Sequence, residues 1–441
     1  MTQLRQALTR FDLTMIAIGS TIGSGIFLTP SIIAQVLPHP LWILGVWVLG
    51  GALALAGALT FAELAGLMPR AGGVYVYLTE AYGGLTGFLF GWAYFLVVNT
   101  GGIAALCVAF ATYFVYFADL DPHAITLVAV AGLAFVTLVN IVGVKMGGIF
   151  SDVFTIAKLA AILGIIAVGL GWGSSSTTHF TQFYGILNHG LSGGLAIAMV
   201  SVLWSCGGWQ HASFASSEVK DPQRNVPYAM VMGAAVVVVL YILTNIAYFF
   251  LLDPAQVASS SRVAADAVWR VLGPTGGRII SVAIFVSTFA TAGIYTLTAP
   301  RIYYAMARDG VFFKKVGNVH KRFQTPTYAI LLQSGWTIVL ILFWGTFENL
   351  ISYVVFTDWI FFGLAGASVI VLRKRNPQAE RTYKTFGYPF TPLFFVAVSC
   401  WFVVNTLIER PQQAWAGLGL LALGLPVYYY WRQRGHSWNP T

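Results

Sequence analysis

Charge is scarce in this chain of 441 residues: Asp, Glu, Lys and Arg make up 9% of it, against 58% hydrophobic residues. A soluble domain carries about 25% charged residues, so this composition excludes a water-facing surface over most of the molecule. Short segments of alternating polarity, about ten residues each, are also missing, which excludes a membrane β-barrel. The three cysteines, Cys107, Cys206 and Cys400, lie far apart and inside apolar runs. That spacing fits neither a disulfide framework nor a metal site, and all three are expected to be small buried residues. His179, His189 and His211 lack metal-ligand spacing, and no Walker A sequence supplies a nucleotide motor. No cofactor is expected.

Long apolar runs dominate instead. Stretches of roughly 18 or more such residues recur along the chain, so the fold class expected is an all-α polytopic membrane protein. Twelve spans are expected, at 14–36, 41–67, 84–117, 122–145, 151–172, 191–215, 227–251, 276–306, 327–347, 349–372, 388–408 and 413–431. The first lacks a small-residue cleavage site, so it reads as a span and not as a signal peptide. Outside the spans, residues 255–272 are expected to form a short helix over the outer face. The net charge of +9 calls for no nucleic acid, because its distribution follows the spans. With twelve of them, Arg70, Lys145, Lys220, Arg301, Lys314, Arg373 and most other basic residues share one side, and the other side keeps Arg262, Arg270, Arg278 and Arg410. Basic residues collect on the cytoplasmic face, so both termini are expected there, with the lipid bilayer of the cell membrane as the main partner.

Two spans carry backbone-breaking residues at mid-depth. The first holds "IAIGSTIGSGIF", with Gly19, Gly23 and Gly25, and the sixth holds "LWSCGGWQHASF", with Gly207 and Gly208. Small residues at spacing four also allow close helix packing, which Gly19 and Gly23 satisfy. Unwound backbone at membrane depth persists only where it lines a polar cavity. A matched pair of interrupted spans, five apart, points to a binding site at the interface of inverted repeats. A LeuT-type 5+5 arrangement is therefore expected, with helices one and six broken. Repeat one would cover 14–172 and repeat two 191–372, with additional helices over 388–431.

Charges inside spans are costly, at least about 2.5–3.5 kcal/mol each, and mark function first. Lys158 stands in the middle of span five and Asp358 about ten residues into span ten. A lysine could also snorkel to an interface. Kept inside, it has two roles open to it, a proton carrier or a fixed cation holding broken helices together. Glu63, near the end of span two, reads as a structural anchor at the cytoplasmic end. A channel would need rings of like residues and repeated filter sequences, and an embedded enzyme a cluster of catalytic side chains; the chain offers neither.

Taken together, "IGSTIGSGIF", "FAELAGLMPRAGGVYVYL", Lys158, the "GGW" of span six, "SSEVKDPQRNVPYA" and "RIYYAMARDG" resemble the amino acid–polyamine–organocation transporters, and within them the L-amino-acid transporter group. The resemblance covers nearly the whole chain. It implies that backbone N–H groups of Thr21, Ile22, Gly23, Ser24 and Gly25 bind the substrate carboxylate, and that carbonyls of Trp204, Ser205 and Gly207 bind its ammonium. Trp204 falls on the aromatic gate and Asp358 on a polar span-ten position. Lys158 falls on a lysine that occupies the area of a sodium site and bridges spans one and eight, with Ser287 as the expected span-eight contact. Three departures qualify this. The loop "FADLDPH" has no cysteine, so no disulfide-linked heavy chain is expected. Trp204 replaces a more usual Phe, as in arginine/agmatine antiporters. Gln210 stands where those antiporters use a glutamate, which weakens a cationic substrate. The function implied is a sodium-independent exchanger of neutral amino acids, with a proton-coupled symporter or an exchanger of cationic substrates as alternatives.

Overall fold

The computed structural model describes residues 4–173, 180, 183–184, 190–343, 347–409 and 411–434, without the side chains of 347–354, 413 and 434. His179 and His189 lie outside the described residues. Among the described residues there is no strand, and the chain is a succession of helices. Among the described residues, nine helical runs are long and apolar enough to cross a membrane. They cover nine of the twelve expected spans. Two of the others are shorter apolar helices, Gly190–Cys206 and Thr327–Phe343, and the last coincides with Pro411–Arg434.

Span one is two helices, α1 (Arg10–Thr21) and α2 (Gly25–Val36), separated by Ile22, Gly23 and Ser24. Helix α1 starts at a capping box: Thr9 Oγ1 accepts from Asp12 N–H, and the Asp12 carboxylate accepts from Thr9 N–H at 2.7 Å. Pro30 sits inside α2 and cannot donate to the Ile26 carbonyl four residues back. The Tyr248 hydroxyl donates to that carbonyl instead, at 3.2 Å. Span two is α3 (Pro40–Leu67), and the short α4 (Val74–Tyr82) follows it. Span three runs through α5 (Gly84–Ala93), a π-helical turn Tyr94–Val98, and α6 (Asn99–Phe117). Spans four and five are α7 (Ile125–Val142) and α8 (Val144–Trp172).

Span six is α9 (Gly190–Cys206), a break over Gly207–Gln210, and the single turn α10 (His211–Phe214). Span seven is α11 (Pro222–Leu251). The expected outer helix is in two pieces. The first is α12 (Pro254–Ser259); the second is the start of α13 (Val263–Thr298), which bends at Gly273, where φ is 65°. Only glycine adopts that conformation without strain. Helix α14 (Pro300–Arg308) extends span eight, and α15 (Thr327–Phe343), α16 (Phe347–Arg375), α17 (Phe390–Glu409) and α18 (Pro411–Arg434) complete the chain.

Two packing groups meet at α1. In one, α11 lies along α3 and α1, while α2 and α3 pack on α9. In the other, α13 lies between α6 and α8, with α7 and α15 behind α6. Leu127, Phe135 and Leu138 on α7 and Ile149, Val153 and Ile156 on α8 are exposed, as a lipid-facing surface requires. Cys107 and Cys206 are buried as expected, but Cys400 is exposed. Its position on the outer face of α17 was not visible in a span that is apolar all round.

Two buried carboxylates tie distant segments together. Arg301 and Glu218 are both fully buried and pair through two contacts, at 2.6 and 2.9 Å. The Glu218 carbonyl accepts from Ala7 and Leu8 N–H, at 3.0 Å each, so the segment before α1 is stitched to the end of span six. Glu63, 2% exposed, receives two bonds from Arg373, at 2.8 and 2.6 Å, and one from Thr385 N–H at 2.7 Å. A carboxylate so provided with donors anchors the helix end, and Glu63 anchors span two to the last turn of α16 and to Thr385 beyond it.

Candidate functional site

Interrupting a helix orphans carbonyls whose N–H partners lie beyond the break. In span one these include Gly19, Thr21, Ile22 and Gly23, and side chains from three other spans meet them. Lys158 stands midway along α8, fourteen residues from either end, and is 1% exposed. Its ammonium donates to Gly19 O at 2.7 Å, Ile22 O at 2.8 Å and Thr291 Oγ1 at 2.6 Å. Three N–H donors find three acceptors, so snorkelling is excluded by geometry. Thr291 Oγ1 lies 2.8 Å from Ile22 O. Ser287 Oγ donates to Gly23 O at 3.0 Å, and Tyr241 donates to Thr21 O at 3.0 Å.

The expected contact of Lys158 on span eight is thereby corrected. Thr291, one turn beyond Ser287, takes the ammonium, because the two share a helix face and the lysine reaches the break at Ile22; Ser287 serves the next carbonyl. The pattern "VSTFATAG" carried that signal as hydroxyls at spacing four. Tyr241 and Tyr248, seven residues apart on one face of α11, were missed, since tyrosine in an apolar span gives no distinguishing pattern.

The donor set for a carboxylate is narrower than the five expected N–H groups. Thr21 is still within α1, Ile22 N–H donates to Ile18 O at 2.8 Å, and Gly23 N–H donates to Thr21 O at 3.0 Å. Among the described residues, the backbone N–H groups of Ser24, Gly25 and Ile26 meet no partner outside the helix. They form the N-terminus of α2, where the helix dipole also favours an anion. Gly25 packs directly on α9: a Cβ there would lie 2.8 Å from Ser205 Cα. Ser205 Oγ lies 3.0 Å from Thr29 Oγ1 and donates to Ser201 O at 2.7 Å.

At the second break, Gly208 adopts φ of 124°. A Cβ there would meet Ser20 O at 2.5 Å, and Ser20 Oγ donates to Gly208 O at 2.8 Å. The two breaks therefore touch each other. Gly208 N–H, which an unbroken helix would give to the Trp204 carbonyl, goes to Gln210 Oε1 at 2.9 Å.

Beside this contact lies a narrow cavity. Span six contributes Trp204, Gly207, Gly208, Gln210 and His211; span three contributes Tyr94, Val98 and Asn99; Tyr295 comes from α13, and Asp358, Trp359 and Phe362 from α16. Trp204, Gly207 and Asp358 thus come together. Thr21 to Gly25 and Ser205 do not line the cavity, and Lys158 and Ser287 lie behind span one. The π-helical turn, a frequent mark of functional sites, delivers Tyr94 and Val98 to it and is followed directly by Asn99 at the start of α6; no sequence signal announced that turn. His211 is held on both ring nitrogens, with Nδ1 2.6 Å from Thr298 Oγ1 and Nε2 3.2 Å from Tyr94 Oη. Among the described residues no cluster of His, Cys, Asp and Glu could hold a metal ion.

This geometry is a pair of opposed helix breaks beside a cavity, with one half-helix pinned by a lysine. A family model described as Amino acid permease matches residues 8–423. Over 431 residues the chain is 31% identical to the Serine/threonine exchanger SteT of Bacillus subtilis (strain 168), covering 97% of each chain. It is 31% identical over 435 residues to the b(0,+)-type amino acid transporter 1 of Mus musculus, covering 95% of this chain and 88% of that one. The Cystine/glutamate transporter of Homo sapiens is 30% identical over 439 residues, covering 97% and 85%.

Proposed function

The chain belongs to the amino acid permease family, and on that premise we propose that it is a sodium-independent exchanger of neutral L-amino acids. The reading rests first on the Lys158 ammonium, which satisfies carbonyls of the span-one break and meets Thr291 of span eight. A fixed cation at that junction leaves no need for a sodium ion there. With its three donors met, it acts as a pin that stays charged through the cycle, so the driving force is the amino acid on the opposite side. The relatives named exchangers and transporters support small-molecule transport without covalent chemistry.

The substrate carboxylate meets the N-terminus of α2, at Ser24 and Gly25, and the ammonium meets carbonyls around Trp204, Ser205 and Gly207. Rocking of spans one, two, six and seven against the other helices separates the touching breaks and joins the α2 terminus to the cavity. The two halves of this motion follow a 5+5 inverted repeat. Both termini face the cytoplasm, and the protein works without a disulfide-linked heavy chain.

Purified protein in liposomes preloaded with amino acid gives saturable counterflow, equal in sodium and potassium buffers. Empty liposomes show little uptake. Sodium-driven accumulation would rule out the substituted cation, and strong uptake into empty liposomes driven by inward protons alone would overturn exchange.

Trp204 is the gate of this scheme, excluding water and covering the substrate with apolar area. In the same counterflow assay, Trp204→Ala lowers transport at least tenfold. Trp42→Ala, whose ring packs on His39 and Phe183 away from the cavity, changes it less than twofold. Equal losses in the two variants would place the gate elsewhere.

A further inference from the structure

Glu63 and Glu218 are each met by an arginine. Asp358 is different. Its Oδ1 is buried without a hydrogen-bond partner, and among the described residues no ion pair reaches it. Burying a carboxyl oxygen unmet is costly, and this one lines a cavity that holds no lysine or arginine. A ligand that enters this cavity can supply the missing partner.

The rest of the lining narrows what that partner is. Asn99, directly after the π-helical turn, gives its Nδ2 to Gln333 Oε1 at 3.0 Å, and its Oδ1 is a second buried acceptor without a partner. Gln210 Oε1 accepts from Gly208 N–H, and both His211 nitrogens are engaged by Thr298 and Tyr94. The two buried atoms of the lining left unmet among the described residues are thus both acceptors, Asp358 Oδ1 and Asn99 Oδ1, in a cavity walled by Trp359, Phe362 and Tyr295. A side chain ending in a carboxylate is repelled there. One ending in methyl leaves the acceptors unmet.

We propose that Asp358, assisted by Asn99, selects the transported amino acid by its side chain, and that favoured substrates end in a hydrogen-bond donor, a hydroxyl or an ammonium. The inference rests on the reading of this cavity as part of the amino acid site. It adds what the backbone breaks cannot supply, because those read only the carboxylate and ammonium that all amino acids share.

Isosteric pairs test it. Counterflow in proteoliposomes is competed with threonine against valine and with lysine against norleucine, for the wild type, Asp358→Asn and Asp358→Leu. Each ratio is taken within one preparation, so a general loss of transport cancels. The wild type prefers threonine over valine by roughly tenfold or more, the scale of a hydrogen bond to a charged group. Asp358→Leu brings the ratio towards one. Asp358→Asn retains part of the hydroxyl preference, since its amide oxygen still accepts, and loses any preference for lysine over norleucine. The lysine arm shows whether ammonium or hydroxyl is the donor served, and a lysine preference would replace the neutral substrate class proposed above by a cationic one. A wild-type ratio near one for both pairs, with alanine exchange intact, would overturn this inference and leave the exchanger reading standing. So would a threonine preference that survives in Asp358→Leu. Should that variant fail to fold, the wild-type ratios and Asp358→Asn decide. Absence of exchange for every amino acid would instead remove the exchanger reading, and this inference with it.

Discussion

Gly25→Val lowers amino acid affinity at least a hundredfold, while the protein still inserts and purifies. The residue stands where two demands coincide. Its N–H, with those of Ser24 and Ile26, is one of the donors left open at the α2 terminus. Its Cα surface lies against α9, with a Cβ placed 2.7 Å from Ser205 Cβ and 2.8 Å from Ser205 Cα. Real contacts are never that short, and the obstructing Cα belongs to backbone that cannot swing aside. The valine therefore pushes the start of α2 away from span six and carries its N–H donors off the carboxylate. Hydrogen bonds to a charged group contribute about 1.5–3 kcal/mol each, so losing two accounts for a hundredfold or more. Equilibrium binding to detergent-purified protein, with size-exclusion profiles matched to wild type, reads the effect. Wild-type affinity in Gly25→Val would end the assignment of the α2 terminus to the carboxylate.

Lys158→Met carries the second large effect: counterflow falls at least tenfold and the protein loses roughly 3 kcal/mol of stability. Methionine nearly conserves volume, so packing contributes little. What disappears is one ammonium that serves Gly19 O, Ile22 O and Thr291 Oγ1 together. Thr291 has a single hydroxyl proton and cannot satisfy both carbonyls, so one is left buried and unmet, at a cost of about 1–3 kcal/mol. Thr291→Val removes one contact and leaves the lysine in place, and its losses are smaller than those of Lys158→Met. Thermal unfolding in detergent and counterflow in liposomes are measured on the same preparations. A Lys158→Met protein that melts and transports as wild type would show that the lysine pins nothing.

Glycine inside an apolar run is legible without coordinates, because lipid tolerates interrupted backbone in few circumstances. "GSTIGSG" and "CGG" accordingly marked both breaks. The same reasoning, that a charge in a span needs a partner, singled out Lys158, and the place of Glu63 near the end of span two marked it as a structural anchor. Those readings are local: each depends on one segment and its solvent. The breaks fell at Ile22–Ser24 and Gly207–Gln210.

Partner identity is not local. Lys158 is 133 residues from Thr291 and 136 from Ile22, and whether Ser287 or Thr291 faces it depends on the rotation of α13 against α8. One helical turn, about 5.4 Å, decides the matter, and composition does not encode it. The number of open N–H donors was likewise settled by local turns that bonded Ile22 and Gly23 inward. The π-helical turn before Asn99 adds one residue to the helical repeat and shifts which face of span three meets the cavity, a shift that hydrophobic periodicity cannot register. Sequence alone determined a membrane protein with two breaks and a buried lysine. Tertiary packing decided which groups those breaks present and which buried acceptors were left without partners, because both follow from how helices distant in sequence are turned against one another.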